Sequence, residues 1–119
     1  MLMNDLYTCR SFKQGDHEFS CQVVFNSGHD VFQEHFPGKP IVPDICMMEI
    51  VKELLETQLG KSLWLRDAGN VKLLQITTAD VQPMVKISWK EGDNGYNASA
   101  SFNWNHAPLF KLSGSYENL

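Results

Sequence analysis

The chain has 119 residues, 43% of them apolar, enough for one hydrophobic core and too few for two, so residues 1–119 read as a single domain. Its formal net charge is −4 and its lysines and arginines are scattered, which excludes the basic stripe of a nucleic-acid-binding protein. Cys9, Cys21 and Cys46 form no CxxC pair, the first residues carry no basic-then-apolar leader, and no apolar run approaches the ~18 residues of a membrane span, so a cytoplasmic protein without a disulfide framework or a span is expected.

The first predicted element is a strand from Glu18 to Asn26, where Phe19, Cys21, Val23 and Phe25 alternate with Ser20, Gln22, Val24 and Asn26. Asn26-Ser27-Gly28 ends it. In the segment His35 to Pro43, the residues Pro37, Gly38, Pro40 and Pro43 exclude regular helix and predict an ordered loop. Asp44 then stands at an N-cap position, and the apolar residues that follow predict one helix from Asp44 to Leu59, stopped by Gly60. Its first turn is apolar on every side, while Glu49, Lys52, Glu53 and Glu56 make a polar stripe, so the helix is expected to start buried and emerge toward solvent. Beyond a link through Arg66-Asp67-Ala68-Gly69, four strand-like runs follow: Val71 to Thr78, Val81 to Trp89, Tyr96 to Trp104 and Pro108 to Tyr116. Gly92-Asp93-Asn94-Gly95 supplies a hairpin turn between the second and third of them. The order is that of an α+β fold, an antiparallel meander with one long helix packed on a face of the sheet.

Two residues in this layout suit acid–base chemistry. His35 opens the proline-rich loop, and a histidine titrates near neutral pH; Glu49 lies in the second helical turn between Met48 and Ile50, apolar surroundings that can hold a carboxyl protonated. Taken singly, Glu49 also reads as a boundary glutamate and His35 as a hydrogen-bonding loop residue. Their position and spacing together are more informative than either residue.

His35-Phe36-Pro37-Gly38-Lys39-Pro40-Ile41-Val42-Pro43, continued through Glu49, resembles the signature of the beta-hydroxyacyl-acyl-carrier-protein dehydratases, hot-dog proteins in which an antiparallel sheet wraps one long central helix. The resemblance implies dehydration of a 3-hydroxyacyl group on acyl carrier protein to the trans-2-enoyl product, in fatty-acid or related polyene synthesis. His35 would remove the proton next to the thioester carbonyl and Glu49 would protonate the departing hydroxyl. Phe36, Gly38, Asp44, Ile45 and Met48 would contact the substrate, with the N–H of Asp44 facing the developing oxyanion. No cofactor or metal is implied, because the substrate arrives on the phosphopantetheine arm of the carrier. Two chains would pair edge to edge as a homodimer, the histidine of one facing the acid of the other.

Asp44 departs from the family, which usually has glycine there, and its carboxylate is expected to turn away and cap the helix. His29, His35 and Cys46 lack the tight spacing of a metal site. Met47, Met48, Phe32 and Phe36 suit either core or an acyl channel, and Trp64, Trp89 and Trp104 read as packing residues. An acidic carrier needs a basic landing patch, for which Lys39, Lys61, Arg66, Lys72 and Lys86 are the candidates. Two other functions fit a hot-dog chain: a thioesterase, which needs a carboxylate-placed water and no histidine at position 35, and a catalytically silent acyl-binding subunit, which needs neither His35 nor Glu49.

Overall fold

The computed structural model describes residues 2–35 and 40–119, the side chains of residues 33–35 excepted. Period-2 alternation dictates the centre of the fold. In β2 (Glu18–Phe25), Phe19, Cys21, Val23 and Phe25 are buried, as predicted, and the residues between them face outward. The remaining elements are β1 (Tyr7–Gly15), α1 (Asp30–His35), α2 (Asp44–Leu59), β3 (Leu63–Leu73), β4 (Met84–Gly92), β5 (Gly95–Trp104) and β6 (Ala107–Asn118). The strands form one six-stranded sheet in the order β1-β2-β4-β5-β6-β3, antiparallel at every pairing, with α2 packed against β3 and β6. No helix among the described residues is long and apolar enough to cross a membrane.

Helix α2 has the predicted ends. Gly60 adopts the left-handed conformation (φ 66°) and its N–H closes on Glu56 O at 2.8 Å, a geometry open to glycine at no steric penalty. Pro43, not Asp44, holds the N-cap position, and no side chain caps the helix; the capping role expected of Asp44 is therefore corrected, its exposed carboxylate lying in the first turn. The expected polarity of the helix is corrected as well. Its first turn is open, with Ile45 69% exposed, and burial begins at Met47 and continues through Ile50, Val51, Leu54 and Leu55. Each such apolar side chain contributes about 1.5–3 kcal/mol when fully buried.

Glu53, expected in the solvent-facing stripe, is only 2% exposed. Its carboxylate accepts the backbone N–H groups of Leu2 (2.7 Å) and Met3 (2.9 Å) and the Tyr7 hydroxyl (3.2 Å), so a charge in the core is matched by three donors from the start of the chain. Burial first, and the Glu53 charge next, hold the Tyr7 phenol well above the usual tyrosine range.

Both edge strands and α1 depart from the sequence-based layout. β1 was not expected: beyond Tyr7 it buries nothing fully, and a bulge between Arg10 and Lys13, with Ser11 at φ 59°, breaks its alternation. β3 spans Leu63–Leu73 rather than Val71 to Thr78, and Arg66-Asp67-Ala68-Gly69, expected as a link, lies within it. Two bulges and an almost wholly exposed surface erase its period. β4 begins at Met84 because Pro83 has no N–H to give; its carbonyl instead accepts Val23 N at 2.9 Å. α1 ends at His35, so the backbone there is helical where a loop was expected. Its start is organised by His29, whose Nδ1 accepts the Val31 N–H at 3.0 Å, which leaves the proton on Nε2 to face Asp5 at 3.1 Å.

The Gly92–Gly95 hairpin forms as predicted, Asp93 and Asn94 making the turn between the paired glycines. A Cβ on Gly95 would stand 1.9 Å from Tyr116 O, whereas one on Gly92 would meet nothing nearer than 3.6 Å. Gly95→Ala is expected to destabilise by about 2–4 kcal/mol and Gly92→Ala by less than about 1 kcal/mol, read as urea midpoints. Glu53→Gln, which keeps the shape but turns an amide toward backbone donors, is expected to lose about 1–3 kcal/mol in the same assay.

Candidate active site

The two turns that open α2 carry the predicted acid and its neighbours. The segment leading into them is pinned: Val42 N donates to Thr77 O (2.8 Å), Ala79 N donates to Pro40 O (2.7 Å), and Ile41 bridges Thr78. Pro43 then starts a helix whose first N–H groups have no intrahelical acceptor, the Asp44 N–H among them.

Glu49 sits one turn further on, 43% exposed, with Oε1 3.4 Å from Lys52 Nζ. Lys52 also approaches Glu56 Oε1 at 3.9 Å, and Glu56 Oε2 accepts Leu63 N at 2.8 Å. Glu49, Lys52 and Glu56 therefore form one stripe, anchored at its far end to the first residue of β3. The Cys46 thiol, one turn before, is pushed up by burial and then by the charges of Asp44 and Glu49. Under the helix, Tyr116 of β6 is 1% exposed, and its hydroxyl has no hydrogen-bond partner among the described residues. Burial, followed by the Glu49 charge, pushes that phenol up to about 12.

Of the residues singled out in the sequence, Asp44, Ile45, Met48 and Glu49 share this end of α2, Asp44 and Ile45 exposed and Met48 half-buried. The side chain of His35, and residues Phe36, Gly38 and Lys39, lie outside the described residues. Met47 and Phe32 are core residues. Trp89 is buried as expected of a packing residue, but Trp64 is exposed on edge strand β3, where no strand covers it. Tyr116 was not singled out. It ended a predicted strand, and a missing hydrogen-bond partner leaves no trace in sequence.

The outer face of the sheet gathers lysines that the sequence scatters. Lys72 pairs with Lys111, Lys111 with Ser101 and Ser101 with Lys86, one row across four strands. With Asn70, Ser88, Ser99 and Ser113 they line a groove of about 430 Å³. Among the described residues none of the three lysines is ion-paired. Two other predicted landing residues are already engaged, Lys61 with the Tyr96 hydroxyl at 2.8 Å and Arg66 with Glu117 at 2.8 Å.

A six-stranded antiparallel sheet in this order, wrapped on one long helix that carries a carboxyl in its second turn, defines a hot-dog protein. The chain belongs to the ApeI-like family, described as ApeI dehydratase, whose model matches residues 11–108. Among solved structures, it is similar to a chain of the dehydratase heterocomplex ApeI:P from Xenorhabdus doucetiae, at a TM-score of 0.82 and 18% identity over 93% of this chain and 97% of that one. It is also similar to an uncharacterized protein from Erwinia carotovora subsp. atroseptica, at a TM-score of 0.64 and 18% identity over 98% and 97%. At these identities the two structures speak for the fold. No curated protein matches the sequence.

Proposed function

We propose that this chain dehydrates a 3-hydroxyacyl thioester borne on acyl carrier protein to the trans-2-enoyl thioester, with His35 as base and Glu49 as acid. The observation that carries the reading is Glu49 itself: a carboxyl at the rim of the central helix, solvent-accessible beside the buried core, in a member of a dehydratase family. His35 takes the proton from the carbon next to the thioester carbonyl, and that C–H pair forms the new carbon–carbon double bond. The C–O bond to the 3-hydroxyl breaks, and the Glu49 proton leaves with the hydroxyl as water. The Asp44 N–H, at the positive end of α2, is directed at the oxyanion that develops meanwhile. Phe36, Gly38, Ile45 and Met48 contact the acyl group, and no cofactor takes part.

Edge strand β3 supports pairing with a second hot-dog chain. It has a free side in the sheet, and Trp64, Val71, Leu73, Leu74 and Ile76 expose apolar surface on and just beyond it. A homodimer with shared sites is the first form of the proposal. The heterocomplex formed by a structural relative favours a second form, in which this chain supplies part of a site to a different hot-dog subunit.

Hydration of crotonyl thioester, followed by loss of enoyl absorbance, tests the reaction in reverse. The wild type is expected to be active, with His35→Ala and Glu49→Gln each lower in kcat by about 10²–10⁴-fold and unchanged in size by gel filtration. A wild type inactive alone but active with a second hot-dog subunit supports the hetero-dimeric form, and inactivity in both settings overturns the dehydratase reading.

For the carrier, the Lys72, Lys86 and Lys111 row supplies the local positive charge that a net-acidic protein otherwise lacks. Reversing all three to glutamate is expected to raise KM at least about ten-fold for the carrier-borne substrate and less than about two-fold for the pantetheine thioester. An equal change for both substrates places the landing site elsewhere.

A further inference from the structure

We infer that Tyr116 is a positioning residue for Glu49: when the site is loaded, the carboxyl turns from Lys52 toward the interior, and the Tyr116 hydroxyl donates a hydrogen bond that holds it there. The inference rests on the proposed dehydration for its kinetic consequence, but its geometry stands apart from that reading.

Four observations carry it. A buried hydroxyl without a partner is destabilising by about 1–3 kcal/mol, and phenylalanine would fill the same space without that penalty. The Tyr116 hydroxyl thus has a donor to give and, among the described residues, no acceptor. Its location is the second observation. Glu56 fastens the Glu49, Lys52 and Glu56 stripe to Leu63; Leu63 pairs with Asn118, and Tyr116 follows two residues back on the same strand, beside Leu65. The helix that carries the stripe packs against β3 and β6, the strand pair that presents Tyr116. Third, the phenol is held protonated far above neutral pH, by burial and then by the Glu49 charge, so at any working pH it is an O–H donor, and Glu49 is near enough to act on it electrostatically. Fourth, the contact Glu49 makes now is weak: at 3.4 Å to a lysine, with 43% of the side chain exposed, it restrains the carboxyl little.

The two orientations differ in what the carboxyl can reach. Beside Lys52 it sits in solvent at the rim. Turned inward, one oxygen accepts from Tyr116 and the other is left free toward the acyl group, the arrangement that protonation of a leaving hydroxyl requires.

Tyr116→Phe tests this. Expected are a melting temperature equal to or above that of the wild type, KM within about two-fold, kcat lower by roughly 10- to 100-fold and a displaced pH profile of kcat/KM. Wild-type kcat and pH profile in a folded variant overturn the inference and leave the dehydratase reading intact. A wild type inactive in every assay sinks that reading instead. The inference is then decided by ¹³C titration of the Glu49 carboxyl in the presence of a saturating, unreactive acyl-pantetheine thioether, whose curve must differ between wild type and Tyr116→Phe; superimposable curves overturn it. If Tyr116→Phe does not fold, the Tyr116 ¹³Cζ resonance in Glu49→Gln serves in its place, and a resonance unmoved from wild type overturns the inference.

Discussion

One helix must cover the apolar face of a six-stranded sheet, and every polar group it carries has to live with that constraint. α2 meets it in two ways. Glu53, in the middle, is sealed in and matched by three hydrogen bonds; Glu49, one turn nearer the N-terminus, is left at the rim with a long contact to one lysine. The first carboxylate closes the core by tying down residues 2–7, and the second stays within reach of solvent. Two glutamates four residues apart on a single helix thus have opposite surroundings, set by which way each faces rather than by residue type.

This explains what was legible in the sequence. β2 and β5 were clear because each has a neighbour on both sides and one buried face, so every second residue is apolar. α2 was clear from Pro43 and Gly60, which bracket it. The edge strands β1 and β3 were missed or misplaced because an edge is paired once and little covered, and their bulges break what period remains. Glu53 was misread for a different reason. It falls at helical spacing with Glu49, Lys52 and Glu56, and the donors that bury it come from about fifty residues away. For the candidate site, the motif from His35 to Glu49 marked the proposed acid and its helix, but Tyr116, brought in by strand pairing from the far end of the chain, carried no local signal.

Charge follows the same division between chain and fold. Along the sequence the lysines look dispersed in an acidic protein. Antiparallel register then brings Lys72, Lys111 and Lys86 into one row, Ser101 standing between the last two, on the face turned away from the helix. A net charge of −4 therefore coexists with a local surface of opposite sign.

The short ladder between residues 40–42 and 77–79 joins two regions that the sheet keeps separate. On one side it holds the approach to α2, and on the other it continues the chain leaving β3, one of the two edge strands. Here the continuation of β3 is bonded directly to the segment that sets the first turn of the helix. That edge and the first turn of α2 are in this way mechanically joined: a load on β3 is passed, through two backbone hydrogen bonds, to the residues that set the start of the helix.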